Sequence, residues 1–298
     1  MFRAKDCQRN RWILSCFAIV QATTCGVMLC ALPMIIRKAQ IVAFDEAAAR
    51  GFEDRMLSRI QQYFPKHPKL LGEGPLRLLI SLALKKARGH DLTTERNVAI
   101  YLDLMSLLGS SFDVDPQMPW AGEILADRSF KTQDERADKL HQRGWEFARK
   151  VAEDFKDLVE KNEATRIIGA IREIGRLSLN ELPVQSGHAY AAEWSARLSQ
   201  AFPVRYTEVG PNGISKLMRG AVESAHRNRI HNTRGIALCA SISLVLGAGF
   251  DNDPQLPWVS KALSGEPNDS ASCTKRLHRD ALECLRQWWG INTETEEN

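Results

Sequence analysis

Asp113, Asp115 and Gln117 stand at alternate positions of one loop, and Asp251, Asp253 and Gln255 repeat the arrangement later in the chain. Oxygen donors at this spacing open a calcium loop. The rest of such a loop is missing. Its sixth position, where a glycine makes the sharp turn, holds Met118 or Leu256, and its twelfth, where a bidentate acid closes the shell, holds Ile124 or Ala262. No metal and no cofactor is therefore expected here. A structural reading accounts for the same residues: Phe112 and Trp120 enter the core on either side of the turn, and Phe250 and Trp258 do so in the second occurrence. Asp113 and Asp251 hydrogen-bond loop amides, Asp115 and Asp253 serve as helix N-caps, and Pro116 and Pro254 take the first helical position.

Other chemistry finds no support. The histidines (His67, His90, His141, His188, His226, His231 and His278) show no H-E-x-x-H spacing, and neither a phosphate-cradling glycine loop nor a G-x-S-x-G elbow occurs. The acids Glu95 and Asp103 become Thr233 and Ser241 in the second occurrence, which reads as a solvated helix face. No catalytic residue is identified, and the chain is not read as an enzyme.

What positions these loops is a duplication. Leu108–Trp120 returns 138 positions later as Leu246–Trp258, and the same offset holds without a gap from about Phe52 to Ala126. Within it Leu76, Leu79, Ile80, Ala83 and Ala87 answer to Ile214, Leu217, Met218, Ala221 and Ala225, an i, i+3, i+4, i+7, i+11 stripe. Helices also precede and follow this stripe. Lys85, Lys86 and Arg88, like His226, Arg227 and Arg229, suit the last turn of a helix, and Thr93 or Thr94 the next N-cap. Gly109 and Gly247 suit a C-terminal residue of positive φ. Beyond the loops, Leu140-His141 matches Leu277-His278 if one residue is deleted. Residues 132–178 read as a charged helical stretch broken near Asn162, and 179–187 as a linker.

The expected fold is all-α, two tandem helical-bundle repeats joined by a helical connector. Its parts are a hydrophobic N-terminal segment at 1–33, a first repeat at 34–150, the connector and linker at 151–187, a second repeat at 188–290 and a polar tail at 291–298. The net charge of +4 in 298 residues is concentrated early, because from Met34 onward 36 basic residues face 35 acidic ones. Such a body lacks the electrostatic footprint of a nucleic-acid binder. The basic cluster His226–Arg234 is a local exception, read as a solvated helix end. Trp12–Ile36 is a 25-residue run without a charge. It allows two readings: translation beginning at Met34 and a cytoplasmic protein, or an inner-membrane anchor through residues 12–36. Cys239, Cys273 and Cys284 have no counterparts in the first copy, so reduced thiols are expected rather than a disulfide framework.

Positions alike in both copies are apolar or turn-forming, while exposed ones differ, as Arg77 from Ser215, Lys85 from Glu223 and Glu95 from Thr233. That pattern suits a binding protein. The runs Phe52-Glu-Asp-Arg-Met56, Tyr63-Phe-Pro65, Leu71-Gly-Glu-Gly74, Thr94-Glu-Arg-Asn-Val98, Tyr101-Leu-Asp-Leu-Met105 and Gly109–Asp127 resemble a bacterial helical-repeat family associated with type VI secretion effector clusters. The likeness covers residues from about Met34 to Val151 and, more loosely, the second copy. It supplies no established catalytic residues. It implies a bacterial accessory protein that binds another protein, a secreted effector, as an immunity protein or a chaperone or adaptor. The alternative is a membrane-anchored toxin or envelope protein.

Overall fold

The computed structural model describes residues 38–151, 162–180, 184–267 and 269–289. The hydrophobic segment 12–36 and the tail 291–298 lie outside them. The chain divides into two compact units, 1–45 and 46–298. Of the first, the described part is the opening of helix α1 (Lys38–Tyr63); the remaining helices belong to the second. They are α2 (Lys66–Leu71), α3 (Glu73–Gly89), α4 (Glu95–Leu108), α5 (Pro119–Ala126), α6 (Gln133–Val151), α7 (Asn162–Ile174), α8 (Val184–Ala201), α9 (Pro203–Arg227), α10 (Thr233–Leu246), α11 (Pro257–Ser264) and α12 (Ser270–Trp289). The fold is all-α, with no strand among the described residues.

Local chemistry places the boundaries at matching positions in both halves. Thr94 Oγ1 accepts from Asn97 N to open α4, and Asn232 Oδ1, 138 positions on, accepts from Gly235 N to open α10. Both helices stop at a glycine, Gly109 at φ 98° and Gly247 at φ 102°, angles that a side chain would strain. α9 carries the counterparts of α2 and α3 as one run, bent at Gly210-Pro211 (φ 71° at Gly210), where the first half has Gly72 at φ 74°.

Each half has its own core. In the first, Ile60 of α1, Leu76, Leu79 and Ile80 of α3, and Tyr101 and Leu102 of α4 are completely buried around Phe112. In the second, Ile214 and Leu217 of α9, Ile236 and Leu238 of α10, and Leu277 of α12 surround Phe250. α7 adds Ile168, Ile171 and Ile174 to the second core, so part of the stretch read as a connector is core-forming. α8 begins at Val184, inside the stretch 179–187 read as a linker.

Two sequence expectations change. Asp115-Pro116 and Asp253-Pro254 do not start helices: α5 and α11 begin at Pro119 and Pro257, after Met118 and Leu256 at the N-cap positions without side-chain capping. Instead Met118 N donates to Asp115 O and Leu256 N to Asp253 O, each at 2.9 Å, which closes a four-residue turn with Asp first and Pro second. Asp103, read as part of a solvated face, is 8% exposed and receives Arg59 from α1 at 2.6 and 2.9 Å. Arg59 neighbours the buried Ile60, so its guanidinium is carried over the face of α4. The second half replaces this pair with an uncharged contact, Trp194 Nε1 donating to Ser241 Oγ at 3.2 Å.

Candidate site at the crossing of the two loops

Once Asp115-Pro116 is a turn, one carboxylate oxygen is occupied locally and the other is available. Asp115 Oδ1 accepts from Gln117 N at 2.8 Å, while Oδ2 accepts at 2.7 Å from Ala248 N in the other half. Asp253 does the same in return, Oδ1 from Gln255 N and Oδ2 from Ser110 N, both at 2.8 Å. The glutamines cross as well, Gln117 Nε2 donating to Ser243 O at 3.0 Å and Gln255 Nε2 to Met105 O at 2.9 Å. Every partner is displaced by the repeat offset, so the contact is reciprocal, as at a two-fold dimer interface. All four side chains are buried, at 2% exposure for Asp115 and Gln117 and 7% for Asp253 and Gln255. Burial pushes the Asp115 carboxyl up, against the amide donors and Arg205, which pull it down.

The glycines that end α4 and α10 make this approach possible. A Cβ on Gly109 would lie 3.2 Å from Leu246 O, and one on Gly247 3.3 Å from Leu108 O. A Cβ on Gly249 would lie 2.7 Å from the Ser111 hydroxyl, its counterpart in the first half, so only one of the two positions has room for a side chain. Gly213 belongs to the same contact: a Cβ there would stand 2.8 Å from Pro116 O.

The sister acids face inward to their own halves. Asp113 receives Lys86 Nζ at 2.7 Å, and Asp251 receives Ser224 Oγ at 2.7 Å and Asn228 Nδ2 at 3.3 Å. They hold the C-terminal ends of α3 and α9 rather than loop amides as the sequence suggested. Asp113 thus engages its own half, while Asp115 and Gln117, bonded to each other, both reach across to the other half. Phe112 and Phe250 are buried at the two core centres, and Trp120 and Trp258 pack half-buried against them. Among the described residues no three histidine, cysteine or acidic side chains converge as metal ligands would.

Beside the crossing lies a cavity of about 430 Å³ whose walls come from matching positions of both halves: Leu108 and Leu246, Met118 and Leu256, Val151 and Trp288. His67 and Arg205, at equivalent positions, sit at its edge. His67 Nε2 lies 3.2 Å from Ser106 O and 3.1 Å from Gln255 Oε1, and since Gln255 Nε2 already donates, both neighbours are acceptors. Nε2 therefore carries the proton. Arg205 Nη1 donates to Leu244 O, the counterpart carbonyl at the end of α10. Sequence reasoning missed this pair; the signal was a basic side chain two or three residues after Phe64-Pro65 and Phe202-Pro203.

Asp253 is held by two backbone amides, and burial keeps His67 below the ordinary histidine range despite its hydrogen bonds and Asp253 nearby. Burial also pushes the Cys239 thiol up to about 12 and the Cys284 thiol to about 11, which disfavours their thiolate forms. A base whose folded pKa is depressed adds stability that is present above its unfolded value of about 6.5 and lost as pH falls. Wild type should lose more stability to urea than His67→Gln between pH 7.5 and 5.5, so the gap between them should narrow. An equal gap at both values would rule out His67 as a buried neutral group.

Among the described residues no helix is long and apolar enough to cross a membrane. No protein-family model matches the chain. No curated protein matches it, and no solved structure does.

Proposed function

We propose that this chain is a protein-binding factor in which two like frames present unlike surfaces. The supporting observation is the distribution of exposed charge. In the first half Arg77 fans out to Glu53, Asp54 and Glu73, Arg55 pairs with Glu95, and Arg96 with Asp138. The positions offset by 138 from Arg77, Asp54 and Glu95 hold Ser215, Ala192 and Thr233, so the second half has no equivalent row there. Exposed pairs contribute only about 0–1 kcal/mol each, so stability gives little reason for the row; recognition of a charged partner does. The likeness to the family near type VI secretion genes makes a secreted effector the partner to test first, with this chain as its immunity protein or adaptor.

The test is capture by the chain begun at Met34, with a variant carrying Arg77→Ser and Glu95→Thr beside it. The expected result is one dominant partner in stoichiometric amount, its retention reduced about tenfold or more in the variant while the melting temperature holds. Recovery of only chaperones and ribosomal proteins, or equal retention by both baits, would overturn the reading.

A further inference from the structure

We propose that His226 and His231 form a binding site for a divalent ion of the zinc class, belonging to the second half alone. The two rings meet where α9 ends and the turn into α10 begins, their centres 5.2 Å apart and their planes inclined at 37°. Two imidazoles held by one tetrahedral ion at about 2.0–2.1 Å have ring centres about 5 Å apart. The nitrogens themselves give a second reason. His226 Nε2 and His231 Nδ1 are each buried, and neither has a hydrogen-bond partner. A buried imidazole nitrogen left unsatisfied costs about 1–3 kcal/mol, and here two such atoms fall on neighbouring rings.

The frame around them is fixed. Arg229 takes a positive φ of 61°, Ile230 N closes back onto Ala225 O at 2.8 Å, and His231 N is held by Ser270 Oγ at 3.0 Å. From the other side α8 passes close enough that a Cβ on Gly187 would sit 3.5 Å from His226 Nε2. The next residue, His188, is exposed and near enough for its charge to bear on His226. No three metal-ligating side chains converge among the described residues, so the site is a two-histidine one, completed by water or by rotation of His188. Imidazole pairs select zinc, nickel or copper over calcium or magnesium. The first half has Arg50, Arg88 and Thr93 at the positions of the three histidines, so no equivalent pair exists there. The basic cluster His226–Arg234 is thereby more than a solvated helix end.

Zinc chloride titrated into the full chain by calorimetry, with the visible absorption of cobalt chloride as a geometric readout, tests the site. One equivalent should bind, with cobalt bands of tetrahedral intensity and a melting temperature raised by zinc. His226→Gln and His231→Gln should each weaken affinity at least about tenfold, and His141→Gln, on an exposed face of α6, should leave it unchanged. Circular dichroism without metal establishes that each variant is folded. Absence of saturable binding below about 100 µM, or wild-type affinity in either folded histidine variant, would overturn the proposal.

Discussion

Asp115→Ala and Asp253→Ala are each expected to lower the free energy of unfolding by about 2–4 kcal/mol, because each strands two backbone amides, all buried except the half-buried one of Ala248, at about 1–3 kcal/mol apiece. The Asp253 amides are Gln255 N and Ser110 N, one in each half. The loss is large beside the 5–15 kcal/mol that ordinarily separates folded from unfolded protein. The double variant should cost less than the sum of the singles, since both carboxylates fasten one contact and opening either loosens the other. It should also separate the halves thermodynamically: each retains a core of its own, so one urea transition should become two. Asp253→Asn, which keeps one acceptor oxygen, should fall between wild type and the alanine variant. Singles within about 0.5 kcal/mol of wild type, together with a double variant that still unfolds in one step, would show that the crossing does not hold the halves together.

The helices themselves were legible because their causes are local. The apolar stripe from Leu76 to Ala87 needs only a 3.6-residue period, and Thr94 and Gly109 act on amides and carbonyls within a turn of themselves. The loop was legible as structure but not as a crossing. Asp115-Pro116 satisfies the sequence rule for a helix start as well as the rule for a turn, and the choice is made by Ala248 N, 133 residues away, which takes the second carboxylate oxygen. Asp103 misled for the same reason, since an acid on α4 looks solvated until Arg59 arrives from α1. His226 and His231 are five residues apart with no recognisable ligand spacing, and it is the positive φ at Arg229 that turns one ring back toward the other. One sequence signal did point at the crossing: Asp and Gln kept at equivalent loop positions in both halves while exposed residues around them changed. Polar side chains so retained are ones whose buried partners would be stranded by their loss.

The glycines at the crossing give the second large effect. Gly109 sits at φ 98°, ψ 152° and Gly247 at φ 102°, ψ 154°, a region that residues with a Cβ almost never occupy, at a cost of about 1–3 kcal/mol. Each also faces a carbonyl of the opposite half, Leu246 O at 3.2 Å and Leu108 O at 3.3 Å from the position of an added Cβ. Those oxygens are backbone at the end of a helix and cannot swing aside as a side chain would. Gly109→Ala and Gly247→Ala should therefore each destabilise by about 2–4 kcal/mol, strain and displaced contact together. The control is Gly220→Ala on an exposed face of α9, where a Cβ meets nothing within 4 Å. There the substitution should stabilise by about 0.5–1 kcal/mol through helix propensity. Opposite signs at the two kinds of site, read from urea midpoints at constant slope, are the result expected where backbone strain and close approach act together. If Gly109→Ala behaved like Gly220→Ala, the two helix ends would not be in contact in solution, and the reciprocal hydrogen bonds of Asp115 and Asp253 could not form.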